Sequence, residues 1–294
     1  MVGRIWDVGN ARFIDPGALV ERLVAARFVL LGEHHDNPDH HRLQAWVLQE
    51  LITAGRRPAV GFEMFSLDDA PALERHLASH PADAAGLGEA VGWSKSGWPP
   101  WTLYQPIADA ALAAQLPIVA ANLDRATTQT LLRRGPAGLD PALAARLGLD
   151  RPPPPAVLAE MTAEIRASHC HIPIAHDVVD RMIAVQRARD AQMADRLAAA
   201  ATRGGGVLIA GVGHVRTDRG VPAFLAQLAP GARAASLAFL EVQPDATRPE
   251  DYANSFGRAT LLVDYVWFTP RADDQDPCEK YRRPLERLQR QPTE

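Results

Sequence analysis

Lysine is nearly absent from this 294-residue chain, Lys95 and Lys280 being the only two. Schiff-base chemistry therefore has almost no candidate nucleophile. Cysteine is as scarce: Cys170 and Cys278 make at most one bridge, which excludes a disulfide-framed scaffold. No apolar run approaches the roughly 18 residues of a membrane span. No basic tract offsets the net charge of −4, which argues against a nucleic-acid partner. The first residues, Met1-Val2-Gly3-Arg4-Ile5-Trp6-Asp7, carry neither the apolar stretch of a signal peptide nor a lipobox cysteine. As written, the chain is expected in the cytoplasm; a periplasmic or membrane-anchored location follows if a leader has been removed. Dinucleotide fingerprints, Walker motifs and nucleophile elbows are missing too.

What is present suits a globular α/β protein. With 47% hydrophobic and 22% charged residues, a sizeable core is available. Short aliphatic runs at Phe28–Leu31, Ala59–Phe62, Ile118–Ala121, Val207–Ala210 and Ala235–Val242 alternate with helical patterns. This rhythm predicts a mixed, mainly parallel sheet flanked by helices. Thr260–Phe268 alternates enough for an antiparallel edge strand. Helices are expected over about His40–Ala54, Pro106–Gln115 and Val178–Ala201. Between about residues 126 and 177 only helical patterns occur, broken by Pro152-Pro153-Pro154-Pro155, which reads as a helical insertion. Residues 1–270 thus read as a single α/β domain and 271–294 as a polar, loosely attached C-terminal tail.

The strand ends carry the chemistry. The first run leads into Gly32-Glu33-His34-His35-Asp36-Asn37-Pro38, the second into Glu63-Met64, the third into Asn122-Leu123-Asp124-Arg125, and the fourth into Gly211-Val212-Gly213-His214. Ligands bind outside the carboxyl ends of parallel strands, so Glu33, His35, Glu63 and His214 are expected to converge in one crevice. In each Gly-x-x-His the glycine is expected to let the chain turn sharply off its strand. Polar residues are ordinary in any one such loop, but four strands delivering titratable groups together point to a shared site. Two imidazoles with two carboxylates suit either a divalent metal centre or acid/base chemistry on a polar substrate.

Four further features stand out. Asp39 is a candidate N-cap for a helix opened by His40 and His41, which the helix dipole should keep neutral. On the long helix Gln186 and Asp190 interrupt a stripe of Val179, Ile183, Met193, Ala194 and Leu197; a buried Asp190 needs a partner, Arg125 or Arg189 being candidates, unless it contacts substrate. The aromatic segment from Trp93 to Tyr104, with Trp98 and Trp101, suits either the floor of a ligand pocket or a satellite core. His169-Cys170-His171, with His176 nearby, offers donors for a transition metal or haem iron.

Leu31-Gly32-Glu33-His34-His35-Asp36-Asn37-Pro38 followed by His40-His41 resembles the signature of the ChaN-like haem-binding uptake family. Gly61-Phe62-Glu63-Met64-Phe65, the Trp98–Pro106 stretch, Asn122, Gln186 through Arg189-Asp190 to Met193-Ala194, and Ala210-Gly211-Val212-Gly213-His214-Val215 are similar to its later blocks, so the likeness spans about residues 15 to 230. The resemblance extends to a larger group with Tiki, TraB and erythromycin-esterase proteins, whose Gly-x-x-His pairs and glutamates imply a metal or hydrolytic centre at Glu33, His35, Glu63 and His214. It also implies an exported lipoprotein in iron acquisition and a homodimer sandwiching two stacked haems with tyrosine on iron. No tyrosine lies between Tyr104 and Tyr252, so the insertion must offer histidine, cysteine or methionine instead. The expectation is a haem or iron-complex binding protein with His169 or His171 as iron ligand and Trp98, Trp101 and Tyr104 sheltering the porphyrin. The alternative is a metal-dependent hydrolase in which Glu33, His35, Glu63 and His214 hold a divalent ion and activate its water.

Overall fold

Among the described residues of the computed structural model (1–201, 203–257, 260–280 and 282), eight strands form one mixed sheet. They are β1 (Ile5–Asp7), β2 (Arg12–Ile14), β3 (Phe28–Glu33), β4 (Ala59–Ser66), β5 (Ile118–Asn122), β6 (Gly206–Gly211), β7 (Ala234–Glu241) and β8 (Tyr265–Thr269). Their spatial order is β2-β1-β8-β7-β3-β6-β4-β5. The six strands from β8 to β5 run parallel; β1 is antiparallel to β8, and β2 is antiparallel to β1.

The central strands are unbroken apolar runs because helices cover both faces. Successive side chains alternate between them. Val29 and Leu31 of β3 and Val207 and Ile209 of β6 pack with Val47, Leu48 and Leu51 of the Pro38–Thr53 helix and Ile107 of the Trp101–Ala113 helix. Phe28, Leu30, Leu208 and Ala210 face Met193 and Leu197 of the His176–Ala200 helix and Leu225 of the Val221–Leu228 helix. Truncating one such residue, Leu30 to alanine for example, is expected to cost about 2–5 kcal/mol.

β8 departs from the edge position expected of it. It starts only at Tyr265, runs parallel to β7, and is hydrogen-bonded on its other side to β1, with Ile5 opposite Trp267. The N-terminal hairpin that occupies the edge consists of three-residue strands, too short to show a period-2 pattern.

Helices Arg125–Arg134, Pro141–Arg146 and Pro155–Ser168 fill the expected insertion. Leu131, Leu139, Leu147 and Leu149 pack on Ala184, Ala188 and Ala191 of the long helix, while Met161 packs on Val179 and Ile183. The insertion is thereby held over the carboxyl ends of the central strands. The tail as far as residue 280 is tied rather than loose. Cys278 is disulfide-bonded to Cys170, and Lys280 Nζ lies 2.7 Å from Asp36 and 2.8 Å from Asp273. The remainder of the tail lies outside the described residues apart from residue 282.

Candidate functional site

The loop after β3 is built to be rigid. Asn37, not Asp39, caps the Pro38–Thr53 helix: its Oδ1 accepts from the Asp39 amide at 2.9 Å, and Pro38 supplies the preset first φ. Asn37 Nδ2 also donates to Glu241 Oε1 (2.6 Å) and to the Pro270 carbonyl (3.0 Å), pinning the loop to the ends of β7 and β8. Neither Gly32 nor Gly211 has a positive φ, so the expected sharp turn is not what they supply. They supply room. A Cβ on Gly32 would sit 2.4 Å from Val215 Cγ2 and 3.1 Å from Val212 Cα; one on Gly211 would sit 3.0 Å from His35 Nε2.

Glu33, His35, Glu63 and His214 meet in one alternating chain of histidines and carboxylates that sequence reasoning left incomplete at both ends. It begins at buried His41, whose Nε2 donates to the His35 carbonyl (2.9 Å) and whose Nδ1 lies 3.0 Å from Glu33 Oε2. Glu33 Oε1 accepts from His35 Nδ1 (2.8 Å) and from the Tyr104 hydroxyl (3.0 Å). His35 Nε2 lies 3.8 Å from Glu63 Oε2, which accepts from the Gly211 amide at 2.7 Å. Glu63 Oε1 faces His214 Nε2 at 3.1 Å, and His214 Nδ1 donates to Asp190 Oδ1 at 2.6 Å. The partner of buried Asp190 is therefore His214; neither candidate arginine fills that role. Arg189 instead donates from Nε to Asn122 Oδ1 at 3.1 Å.

Electrostatics follow from this alternation. Burial alone would raise the Glu33 carboxyl, but hydrogen bonds from His35 and His41 and their charges hold it down to about 2. Burial likewise opposes ionisation of Glu63, and the charge and hydrogen bond of His214 outweigh it, leaving this carboxyl below the usual range. Burial would lower His214; the charges of Glu63 and Asp190 and its hydrogen bonds to both raise it to about 10. His35 and His41 are raised too, against burial, chiefly by hydrogen bonds to Glu33. The cationic form of His41 is thus favoured despite its place in a helix's first turn, because the Glu33 carboxylate lies 3.0 Å away. His40 does stay neutral. Its Nδ1 accepts from the His34 amide (2.8 Å), its Nε2 meets Thr269 Oγ1 (2.8 Å), and burial pushes it down to about 3.

With 31% of its side chain exposed, His35 is the one member of this chain open to solvent, the others being at most 7% exposed. A proton can enter or leave there. The same arrangement disfavours a metal. A ligating imidazole must be neutral, whereas both His214 nitrogens face carboxylates. Among the described residues no group of three or more His, Cys, Asp or Glu side chains is disposed to hold a metal ion.

A pocket of about 500 Å³ opens beside His35, within the range of small-molecule sites. Met161, Ile165, Met182 and Val185 form an apolar wall, opposed by Glu33, His35 and His214, with His169 among the lining residues. His169 Nδ1 lies 2.7 Å from the Ile165 carbonyl and so carries the hydrogen, which leaves Nε2 as the lone-pair nitrogen of the neutral ring. His171 is exposed and does not line this pocket. Trp98 packs against His35 with the ring centroids 4.8 Å apart and the planes tilted by 58°, and it lines a different pocket beyond Glu63. Trp101 packs on Phe65 and Trp93 and donates to the Ala84 carbonyl, so it belongs to the main core on one face of the sheet and not to a satellite. Tyr104 is wholly buried beneath Glu33, where it supports the carboxylate and has no open face for a ligand.

The sequence profile of the family described as "Haem-binding uptake, Tiki superfamily, ChaN" matches residues 19–225. The chain belongs to this family. ChaN of Campylobacter jejuni, in a structure described as "Cofacial heme binding", has the same fold: the TM-score is 0.68 at 20% identity, covering 90% of this chain and 95% of that one. The type III effector HopBA1 (TM-score 0.46, 14% identity, 86% and 91% covered) and an erythromycin esterase EreC mutant in its open conformation (0.47, 14%, 88% and 94%) are more distant. No curated protein sequence matches the chain.

Every member of the alternating chain, from Glu33 to His214, falls inside the segment matched to the ChaN family. Two members went unassigned in the sequence. Asp190 was visible as a carboxylate on an apolar stripe, but only the fold shows that the stripe faces His214. His41 was visible as a helix-opening residue and in the family signature, but nothing in the sequence showed its contact with Glu33.

Proposed function

We propose that this member of the ChaN family binds haem in the pocket beside His35, as an exported protein of iron acquisition. The observation that carries the reading is His169: a pocket-lining imidazole whose Nδ1–H is committed to the Ile165 carbonyl, leaving Nε2 to face a ligand. A hydrogen bond from the distal ring nitrogen is what orients a metal-bound histidine and raises its basicity. Met161, Met182 and Val185 supply the apolar surface a porphyrin needs, and methionine is itself a haem ligand. The residues present therefore fit haem, with histidine where the family resemblance implies tyrosine. Haem, once bound, would supply the iron centre; the chain supplies the axial nitrogen and the water-excluding wall.

Haem titration of wild-type protein, His169→Ala and His171→Ala tests this. A Soret band that shifts or weakens in His169→Ala alone supports the reading, and a wild-type protein that binds no haem sinks it. Leu132, exposed at the rim of the pocket, suits a second copy closing over the mouth, as the resemblance implies for a haem-sandwiching dimer. Size-exclusion chromatography with and without haem checks that pairing. The Cys170–Cys278 bridge favours an oxidising compartment over the cytoplasm.

A second reading rests on the exposure of His35 at the open end of the chain of carboxylates and imidazoles: acid/base chemistry on a polar substrate entering the same pocket. The metal-dependent form of that reading is the weaker one, because the carboxylate oxygens already face imidazoles or the Gly211 amide. Stoichiometric zinc or manganese in the purified protein would restore it.

A further inference from the structure

Beyond Glu63 lies a second cavity, of about 340 Å³, that shares no lining residue with the pocket beside His35. Its walls come from the ends of β4 and β5, the start of the Arg125–Arg134 helix, the long helix and the loop carrying Trp98. Two guanidiniums line it. Arg189, with 28% of its side chain exposed, spends Nε on Asn122; its Nη2 lies 3.7 Å from Glu63 Oε1, and among the described residues Nη1 has no partner. The Arg125 guanidinium makes no hydrogen bond or ion pair among the described residues, its backbone amide alone donating to Asp68.

The acids of the same cavity are already engaged. Asp69 Oδ2 accepts from both the amide and the hydroxyl of Ser66, each at 2.8 Å. Glu63 is matched by His214 at 3.1 Å and by the Gly211 amide. The cavity therefore holds one guanidinium, that of Arg125, with no ion-pair partner among the described residues, and a second, that of Arg189, whose contact with Glu63 at 3.7 Å is longer than a hydrogen bond. Met64, Val91, Leu123 and Trp98 add apolar lining to the same cavity.

We infer that this cavity is a binding site for a small carboxylate with a planar apolar body, its carboxylate on Arg189 and Arg125 and its body against Trp98. An arginine fork matches a carboxylate through paired N–H donors, which favours this anion over a neutral polar group. Trp98 offers the flat surface against which an aromatic or planar body packs. Because the Trp98 ring lies 4.8 Å from the His35 ring, a ligand seated there borders the exposed end of the His/carboxylate chain. The site stands independently of haem binding.

Calorimetric titration of the full chain with benzoate, benzamide and acetate tests the inference. Benzoate is expected to bind saturably, acetate more weakly for lack of a body, and benzamide not at all for lack of charge. Arg189→Gln is expected to weaken benzoate about tenfold, the loss of a charge-assisted pair. Arg125→Gln, at an exposed position, is expected to weaken it about two- to threefold with an unchanged melting temperature. Trp98→Ala should weaken benzoate while leaving acetate as it was. Equal binding of benzoate and benzamide, or benzoate affinity unmoved by both arginine variants, would overturn the proposal. So would competition between benzoate and haem, since it would make the arginine pair a seat for haem propionates.

Discussion

His214 is clamped between two carboxylates delivered by different elements: Asp190 Oδ1 lies 2.6 Å from its Nδ1 and Glu63 Oε1 lies 3.1 Å from its Nε2. Asp190 comes from the long helix, Glu63 from β4 and His214 from the turn after β6, so the clamp joins three parts of the fold. A buried imidazolium is tolerable only because both nitrogens donate to anions. Removing either anion exposes the cost of the burial.

Asp190→Ala is accordingly expected to destabilise the protein by about 3–5 kcal/mol, most of it from the charge left behind on His214. Asp190→Asn keeps the volume and should cost less. Urea unfolding of the two variants measures the difference, and an alanine variant as stable as wild type would mean that His214 does not carry the charge.

The pH dependence of stability has two limbs. Glu33, held at about 2 against an ordinary 4.5, stabilises the fold above pH 4.5 and loses that contribution as pH falls toward 2. Neutral His40, at about 3 against 6.5, adds a loss on the same side that begins below pH 6.5. His214 works the other way: raised from 6.5 to about 10, it stabilises fully below pH 6.5 and loses its contribution as pH rises through 10. His35 and His41, also raised, reinforce that alkaline limb. Stability should therefore peak near pH 6.5 and decline in both directions. NMR titration of the His214 ring gives the direct check; a midpoint near 6.5 would contradict the clamp.

Gly32→Ala should destabilise by about 1–3 kcal/mol by overpacking, because the new methyl meets Val215 and the backbone at Val212. Adding Val215→Ala relieves the 2.4 Å side-chain clash but not the 3.1 Å backbone contact, so partial recovery is expected in thermal melts. Full recovery would assign the requirement to the side chain alone. No recovery would assign it to the turn.

How much of this was legible beforehand differs from residue to residue. The runs that became β3, β4, β5, β6 and β7 could be read because strands buried on both faces need continuous apolar sequence. With them came the strand-end positions of Glu33, Glu63 and His214. The β1–β2 hairpin was not legible, its strands being too short to carry a period, and without it β8 was assigned to an edge. The glycines of the two Gly-x-x-His motifs could be seen but not their reason, since close approach to Val215 or His35 is a tertiary fact. Asp190 stood out as a misfit on its helix, yet choosing His214 over Arg189 as its partner required the helix to be docked.

The C-terminal segment offers a final prediction, joining redox state to the pocket. Cys170 directly follows His169, and Cys170 and His171 both adopt left-handed backbone conformations (φ 57° and 54°), which non-glycine residues rarely adopt. Amide hydrogen bonds to Ala167 (2.9 Å) and Arg166 (2.8 Å) hold this turn from within, and the disulfide to Cys278, 108 residues away, holds it from outside. Lys280 carries the restraint on to Asp36 in the loop after His35. The segment around Cys278 therefore links the His169 turn to the His35 loop. Closing so long a loop covalently is expected to contribute about 2–5 kcal/mol, so Cys278→Ser or reduction should lower the melting temperature. It should also free the His169 turn, seen as faster amide exchange over residues 166–172 and cleavage by trypsin beyond residue 270. A thiol assay on the unfolded, unreduced protein should find no free thiols. Two free thiols with a melting temperature indifferent to reductant would show that the clamp does not form, and with it would go the argument for an oxidising compartment.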